Sequence, residues 1–348
     1  MGSLTDRRIA LIGGAGFIGH HLAIRLKNEG AKVSVIDGMT VNNYYNIRSV
    51  ESKDANAPLY LRVIQERLDL LGEKGIPLIV ADARDYDGLS RVLKKINPDT
   101  LVHLAAVSHA GKSNKDPYST FDHSLRTLEN ALDNARSDAL SIRHFVYFSS
   151  SMVYGNFSSE SVTEASVCEP LGIYGALKFA GEKLVIAYNQ VFDLPYTIVR
   201  PSALYGPRCV SRRVGQVLIE NILSGKEVCI QGDGTDRLDF TYIDDLTSGI
   251  VNILENDNAR NQIFNLTYGQ GRSINKMAEI LKVEFPWIEV KYEPRDRMMP
   301  RRGTLSIDKA RRLMGYNPQY PLEVGFVSYI RWYKELFDKQ KSLQVSCV

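Results

Sequence analysis

Short apolar runs recur along the first two-thirds of the chain: "RIALIG" (8–13), "KVSVID" (32–37), "PLIVAD" (77–82), "TLVHLAA" (100–106), "HFVYFSS" (144–150) and "YTIVRP" (196–201). Most are apolar at consecutive positions instead of alternating with polar residues. A strand with one wet face alternates, whereas a continuous run requires cover on both faces, as in a parallel sheet between two helical layers. Amphipathic stretches of helical period lie between the runs, for example "GHHLAIRLKNEG" (19–30), with Gly30 as a C-terminal stop. This alternation predicts an α/β protein built on a doubly wound parallel-sheet Rossmann domain.

Beyond residue 200 the pattern loosens, and Pro, Gly and Arg become dense in "RPSALYGPRCVSRR" and "EPRDRMMPRRG". We expect a smaller mixed α/β substrate-binding region there. The expected division is a Rossmann domain over 1–200, joined by part of 238–267, and a substrate-binding region over 201–237 and 268–337. Residues 338–348 are expected as a poorly ordered tail. The 40–75 connection is longer than a tight turn needs, which predicts an extra helix in "LRVIQERLDLLGEKG" (61–75).

Charge adds exclusions. Lys and Arg number 43 against 40 Asp and Glu, so nucleic acid as a partner gains no support. The cysteines (Cys168, Cys209, Cys229, Cys347) are far apart and form no CxxC pair, so neither a metal site nor a disulfide framework is expected. No run is long enough to span a membrane, and the N-terminus leads into a strand. A soluble cytoplasmic protein is the expectation.

Chemistry enters at "IALIGGAGFIGHHLA", where Gly13, Gly16 and Gly19 recur every third residue after the first strand. The first allows a sharp turn, the second lets backbone N–H groups approach a pyrophosphate, and the third lets the helix pack on the strand. Phe17 and Ile18 complete this expected cofactor-binding turn. Asp37 closes the second strand, placed to accept hydrogen bonds from both adenosine ribose hydroxyls and to repel a 2′-phosphate. Gly38 and Met39 follow without an arginine, so NAD is favoured over NADP.

Together with "YGALK" (174–178), these features make the sequence resemble the extended short-chain dehydrogenase/reductase family, within its NAD-dependent nucleotide-sugar epimerase/dehydratase branch. The resemblance runs to about residue 335 through "GGAGFIG", "VADARD", "LVHLAA", "FSSSMVYG", "YGALKFAGEKL", "VRPSALYGPR", "GDGTDRLDFTYIDDL" and "SIDKARRLMGYNP". It implies that Asp82 and Ala83 lie beside the adenine and that Leu104, Ala105 and Ala106 line the nicotinamide side. His123 stands where the family often has a cofactor-touching asparagine. The family's catalytic pair falls on Tyr174 and Lys178, and its hydroxyl residue on Ser150. Lys178 would pull the phenol toward ionisation, Tyr174 would take a sugar hydroxyl proton, and Ser150 would hold the oxygen as it becomes a ketone.

Two neighbours of Ser150 narrow the reaction. Dehydratases of this branch carry Asp-Glu after the hydroxyl residue, whereas this chain has Ser151 and Met152. Neither can perform that proton transfer, so dehydration is disfavoured and C4 epimerisation is the leading expectation. The expected substrate is a nucleotide-diphosphate sugar, UDP-hexose or UDP-hexuronate, with Ser151 and Met152 against the sugar. The resemblance also implies a homodimer formed through helices in the 120–135 and 174–190 stretches.

A diphosphate calls for guanidinium groups. The arginines of the loosened region are Arg208, Arg212, Arg213, Arg237, Arg295, Arg297, Arg301 and Arg302, of which Arg208, Arg213, Arg237 and Arg301 are the expected substrate ligands. Leu238 occupies the slot where "TRDF" relatives place an arginine, and Ala203 one where they often have a polar residue. Other readings stay open: a 4-keto-sugar reductase or a dehydrogenase that turns over free NAD(H), and a non-catalytic NAD sensor.

Overall fold

The computed structural model of the protein describes residues 3–49, 55–107, 110–295 and 299–346. The six apolar runs form β1 (Arg8–Ile12), β2 (Lys32–Asp37), β3 (Leu78–Val80), β4 (Thr100–His103), β5 (His144–Phe148) and β6 (Tyr196–Arg200). A seventh strand, β7 (Gln262–Asn265), completes a sheet ordered β7-β6-β5-β4-β1-β2-β3, with every pairing parallel.

Continuous apolarity has the expected cause. Ile9 and Leu11 of β1 enter the core on one face of the sheet, and Ala10 and Ile12 enter that on the other. Val146 and Phe148 of β5 divide from Phe145 and Tyr147 in the same way. Burying each of these Ile, Leu, Val and Phe side chains is worth about 1.5–3 kcal/mol, so both faces hold the strands in register.

Covering helices include α1 (Phe17–Asn28), α2 (Ala57–Glu73), α3 (Thr127–Ala135), α4 (Gly172–Phe192), α5 (Val214–Leu223), α6 (Ile243–Glu255), α7 (Ile274–Glu284) and α8 (Leu322–Ser346). The inserted helix α2 buries Leu59, Tyr60, Val63, Ile64 and Leu71 on one stripe, together with Arg67. A short helix, Pro117–Phe121, leads through a π-turn at Asp122–Arg126 into α3, instead of the regular helix the sequence suggests.

The smaller region consists of α5, α7 and α8 with short strand pairs, such as Val228–Gln231 beside Val290–Glu293. Helix α8 continues through Ser346, and only residues 347–348 lie beyond the described chain.

Strand order reverses beside β1, where β4 pairs on one side and β2 on the other. In such sheets ligands bind beyond the strands' C-terminal ends at the reversal. Gly13, Asp37, Leu104, Ser149 and Pro201 all follow or close those ends, and all line one cavity.

Candidate active site

The cavity holds about 860 Å³. At one end Gly13 adopts φ +82, and a Cβ there would lie 2.6 Å from the Ala105 nitrogen. At Gly19 a Cβ would lie 2.5 Å from the Gly14 backbone, so this glycine lets α1 close on the turn. Gly16 has only the Gly13 carbonyl at 3.4 Å and otherwise opens into the cavity. It is the N-cap of α1 and offers no capping side chain, leaving the first-turn N–H groups available to an anion. Phe17, Ile18 and Gly19 join this lining. The cradle fits a dinucleotide diphosphate.

Asp37 accepts from the Ala15 N–H at 2.9 Å and the Met39 N–H at 2.8 Å, which fixes its carboxylate at the cavity edge. Burial pushes its pKa up, against these two hydrogen bonds. No arginine follows Asp37 in sequence, yet α2 brings Arg67 into the same lining. Its Nε donates to the Arg208 carbonyl at 2.9 Å. Asp82 is gripped by Arg84, which also reaches Asp122 at 2.9 Å. Asp82, Ala83 and His123 line the cavity, as do Leu104, Ala105 and Ala106. The Leu104 and Ala105 N–H groups are anchored on the Ile12 carbonyl.

Ser150 sits just past β5, and its Oγ accepts from the Met152 N–H at 3.2 Å, opening the Ser151–Tyr154 turn. Tyr174 and Lys178 lie one turn apart on α4 and face the same cavity as Ser150. Lys178 donates from Nζ to the Phe148 carbonyl at 2.6 Å. Burial pulls Lys178 down to about 8, against the Glu182 carboxylate. Burial pushes the Tyr174 phenol up, while the Ser150 hydroxyl and the Arg213 guanidinium pull it down. Ser151 is buried with its N–H on the Pro201 carbonyl, and Met152 lines the cavity.

The arginines divide sharply. Arg213, at the N-cap of α5, and Arg302 both line the cavity, and the Nε of each is buried without a hydrogen-bond partner. Burial first, and Arg213 second, pull Arg302 down to about 10. Its neighbour Arg301, expected as a substrate ligand, is exposed, meets Asn156 through its backbone N–H and is outside the lining. Arg208 is also corrected. With φ +63 its side chain turns to Glu66 at 2.9 Å and His20 at 3.1 Å, outside the lining. Arg237 reaches the lining with one guanidinium nitrogen on the Gly271 carbonyl, beside Leu238. Arg297 lies outside the described residues.

A dinucleotide cradle at the switch point of a doubly wound sheet, facing a Ser–Tyr–Lys set, defines a short-chain dehydrogenase-type protein. The family model for the NAD dependent epimerase/dehydratase family matches residues 9–267, and the chain belongs to that family.

The chain is 28% identical to an uncharacterised UDP-glucose epimerase of Bacillus subtilis, over 95% of this chain and 99% of the relative. It is 27% identical to a UDP-glucuronate 4-epimerase of Arabidopsis thaliana, over 96% and 76%. Among solved structures, UDP-glucuronic acid 4-epimerase from Bacillus cereus is similar. A tyrosine-to-phenylalanine variant of it, in complex with a 4-fluoro substrate analogue and NAD, superposes with a TM-score of 0.83 at 28% identity, covering 94% of this chain and 99% of that one.

Proposed function

We propose that the protein is an NAD-dependent nucleotide-sugar C4 epimerase that oxidises its sugar to a 4-keto form and re-reduces it on the other face. The carrying observation is a single cavity lined by the dinucleotide cradle, by Arg213 and Arg302 with buried Nε atoms that lack a hydrogen-bond partner, and by Ser150, Tyr174 and Lys178. The relatives' UDP-sugars, as named for those proteins, support a UDP-hexose or UDP-hexuronate as substrate.

Bound NAD supplies the acceptor, and then the donor, of the hydride at C4. Gly13, Gly16, Phe17, Ile18 and Gly19 would hold its diphosphate, Asp37 its adenosine ribose, and Asp82, Ala83 and Leu104–Ala106 its two ring systems. Tyr174, as phenolate, takes the proton from the sugar O4 and later returns it. Lys178 supports the phenolate by its charge, and Ser150 donates to the oxygen in its carbonyl form. Arg213, Arg302 and Arg237 take the sugar diphosphate, with the guanidinium fork matched to phosphate oxygens. Met152 offers no acid or base for removing water, which separates this chain from a dehydratase.

The reading includes a cytoplasmic homodimer. Tyr118, Phe121, Leu184, Val191 and Phe192 are exposed on Pro117–Phe121 and α4, an apolar face suited to a second copy. Cysteines 168, 209 and 229 are free thiols, in keeping with a reducing compartment. Assigning 1–200 with part of 238–267 to the cofactor domain is supported by β7, which pairs with β6.

Mass spectrometry of small molecules released on denaturation, beside activity on UDP-, GDP-, dTDP- and CDP-sugars without added NAD, tests the proposal. Release of NAD with C4 interconversion of one sugar supports it. An empty protein that turns over only with stoichiometric NAD(H) would replace it with the oxidoreductase reading.

A further inference from the structure

One buried carboxylate lies behind the Ser–Tyr–Lys set. Glu182 follows Lys178 by one turn on α4, and its side chain is 1% exposed. Its Oε1 accepts from Ser149 Oγ at 2.5 Å and from Arg200 Nε at 2.9 Å, and its Oε2 accepts from Arg200 Nη2 at 2.6 Å. Arg200 in turn donates to the Tyr154 hydroxyl at 2.9 Å, and that hydroxyl donates to Asn265 at 2.8 Å. A single side chain on the Tyr174/Lys178 helix thus binds the residue before Ser150 and the end of β6, where the cavity wall Pro201–Ala203 begins.

We propose that Glu182 is a positioning residue for the epimerase reaction, holding Ser150 and Lys178 in register and keeping the Lys178 ammonium charged beside Tyr174. The proposal rests on the catalytic reading of that trio and assigns Glu182 no contact with substrate.

Two arguments separate it from plain scaffolding. A buried ion pair contributes little net stability, and an apolar pair of similar volume often serves as well. Ser149 has no need of a carboxylate, because a hydroxyl in a wall can take a carbonyl partner. The placement makes sense for a lysine that must remain an ammonium while buried.

The charged and titratable groups facing Glu182 are Lys178 on its own helix, Arg200 and Tyr196 from β6, Tyr147 from β5, Tyr154 through Arg200, and Cys168 before α4. Among the described residues Glu182 is the one anionic group acting on Lys178, where burial otherwise favours the neutral amine.

Glu182→Gln keeps the shape and removes the charge. The alkaline limb of kcat should move toward neutral pH by at least half a unit, a ~3-fold loss of active enzyme above the midpoint. KM and retained NAD should stay unchanged. Because Glu182→Gln leaves Arg200 buried without its counter-charge, the Glu182→Gln/Arg200→Met double variant is measured alongside and should show the same shift.

A second readout needs no substrate. The tyrosinate absorbance of Tyr174, taken as a difference against Tyr174→Phe, should titrate at higher pH in Glu182→Gln, because Lys178 loses its proton earlier. If wild type turns over no sugar, the epimerase reading fails while this titration still judges Glu182. An unchanged limb and an unchanged or lowered Tyr174 midpoint in both variants, with only melting temperature altered, would overturn the proposal.

Discussion

The Lys178 ammonium donates to the Phe148 carbonyl at 2.6 Å, so the cation beside Tyr174 is tied to the strand that leads into Ser150. This arrangement puts function against stability. Lys178 is pulled from 10.5 to about 8 in the folded chain. A depressed folded value means stability is complete above pH 10.5 and is lost as pH falls through about 8. Holding the charged form at neutral pH therefore costs up to about 3 kcal/mol. Lys178→Met should abolish epimerisation and raise the melting temperature at pH 7. That gain should fade as the pH approaches 10.5. The lost hydrogen bond to Phe148 offsets part of it, roughly 1–3 kcal/mol. Thermal unfolding at several pH values checks both signs.

Tyr174→Phe removes the proposed acid/base group and little volume. Turnover should fall by about 10²–10⁴-fold, while NAD released on denaturation stays at the wild-type level. Rate assays paired with cofactor quantification check this, and undiminished turnover would assign the proton transfer elsewhere.

Arg302 is half-buried in the cavity lining, and its guanidinium Nε is buried without a hydrogen-bond partner. Arg302→Leu should weaken substrate binding by about 10–100-fold in KM, the equivalent of one charged hydrogen bond of about 1.5–3 kcal/mol. The same change removes an unpartnered buried nitrogen and should stabilise the substrate-free protein. Arg301→Leu, on an exposed side chain outside the cavity, should change neither quantity. Steady-state kinetics with melting curves separate the two.

The exposed stripe on α4 makes its own prediction. Leu184→Glu places a carboxylate in the apolar face and should shift the proposed dimer toward monomer in light scattering, with the fold retained by circular dichroism. A wild type that is monomeric would remove the dimer from the account.

The sheet was legible because β1, β5 and β6 are buried on both faces, which writes itself as unbroken apolar runs. Strand β7, "QIFN", leaves no such run because it is short and its two apolar residues stand between Gln262 and Asn265. The Ser150–Tyr174–Lys178 set was readable only through the family resemblance, because a tyrosine and a lysine four residues apart share a helix face in any helix. The arginines were not. Whether Arg301 or Arg302, or Arg208 or Arg213, turns inward depends on contacts made far away in sequence. Examples are Asn156 against the Arg301 backbone and Glu66 against the Arg208 side chain. The π-turn that carries His123 to the cavity has no compositional signature.

The most direct test follows a deuterium at C4 of the nucleotide sugar through turnover without added NAD. A chain that passes the hydride to a retained cofactor and back should deliver the epimer with the label still at C4 and none exchanged into solvent. Loss of the label to water, or to NAD supplied in solution, would contradict the epimerase account.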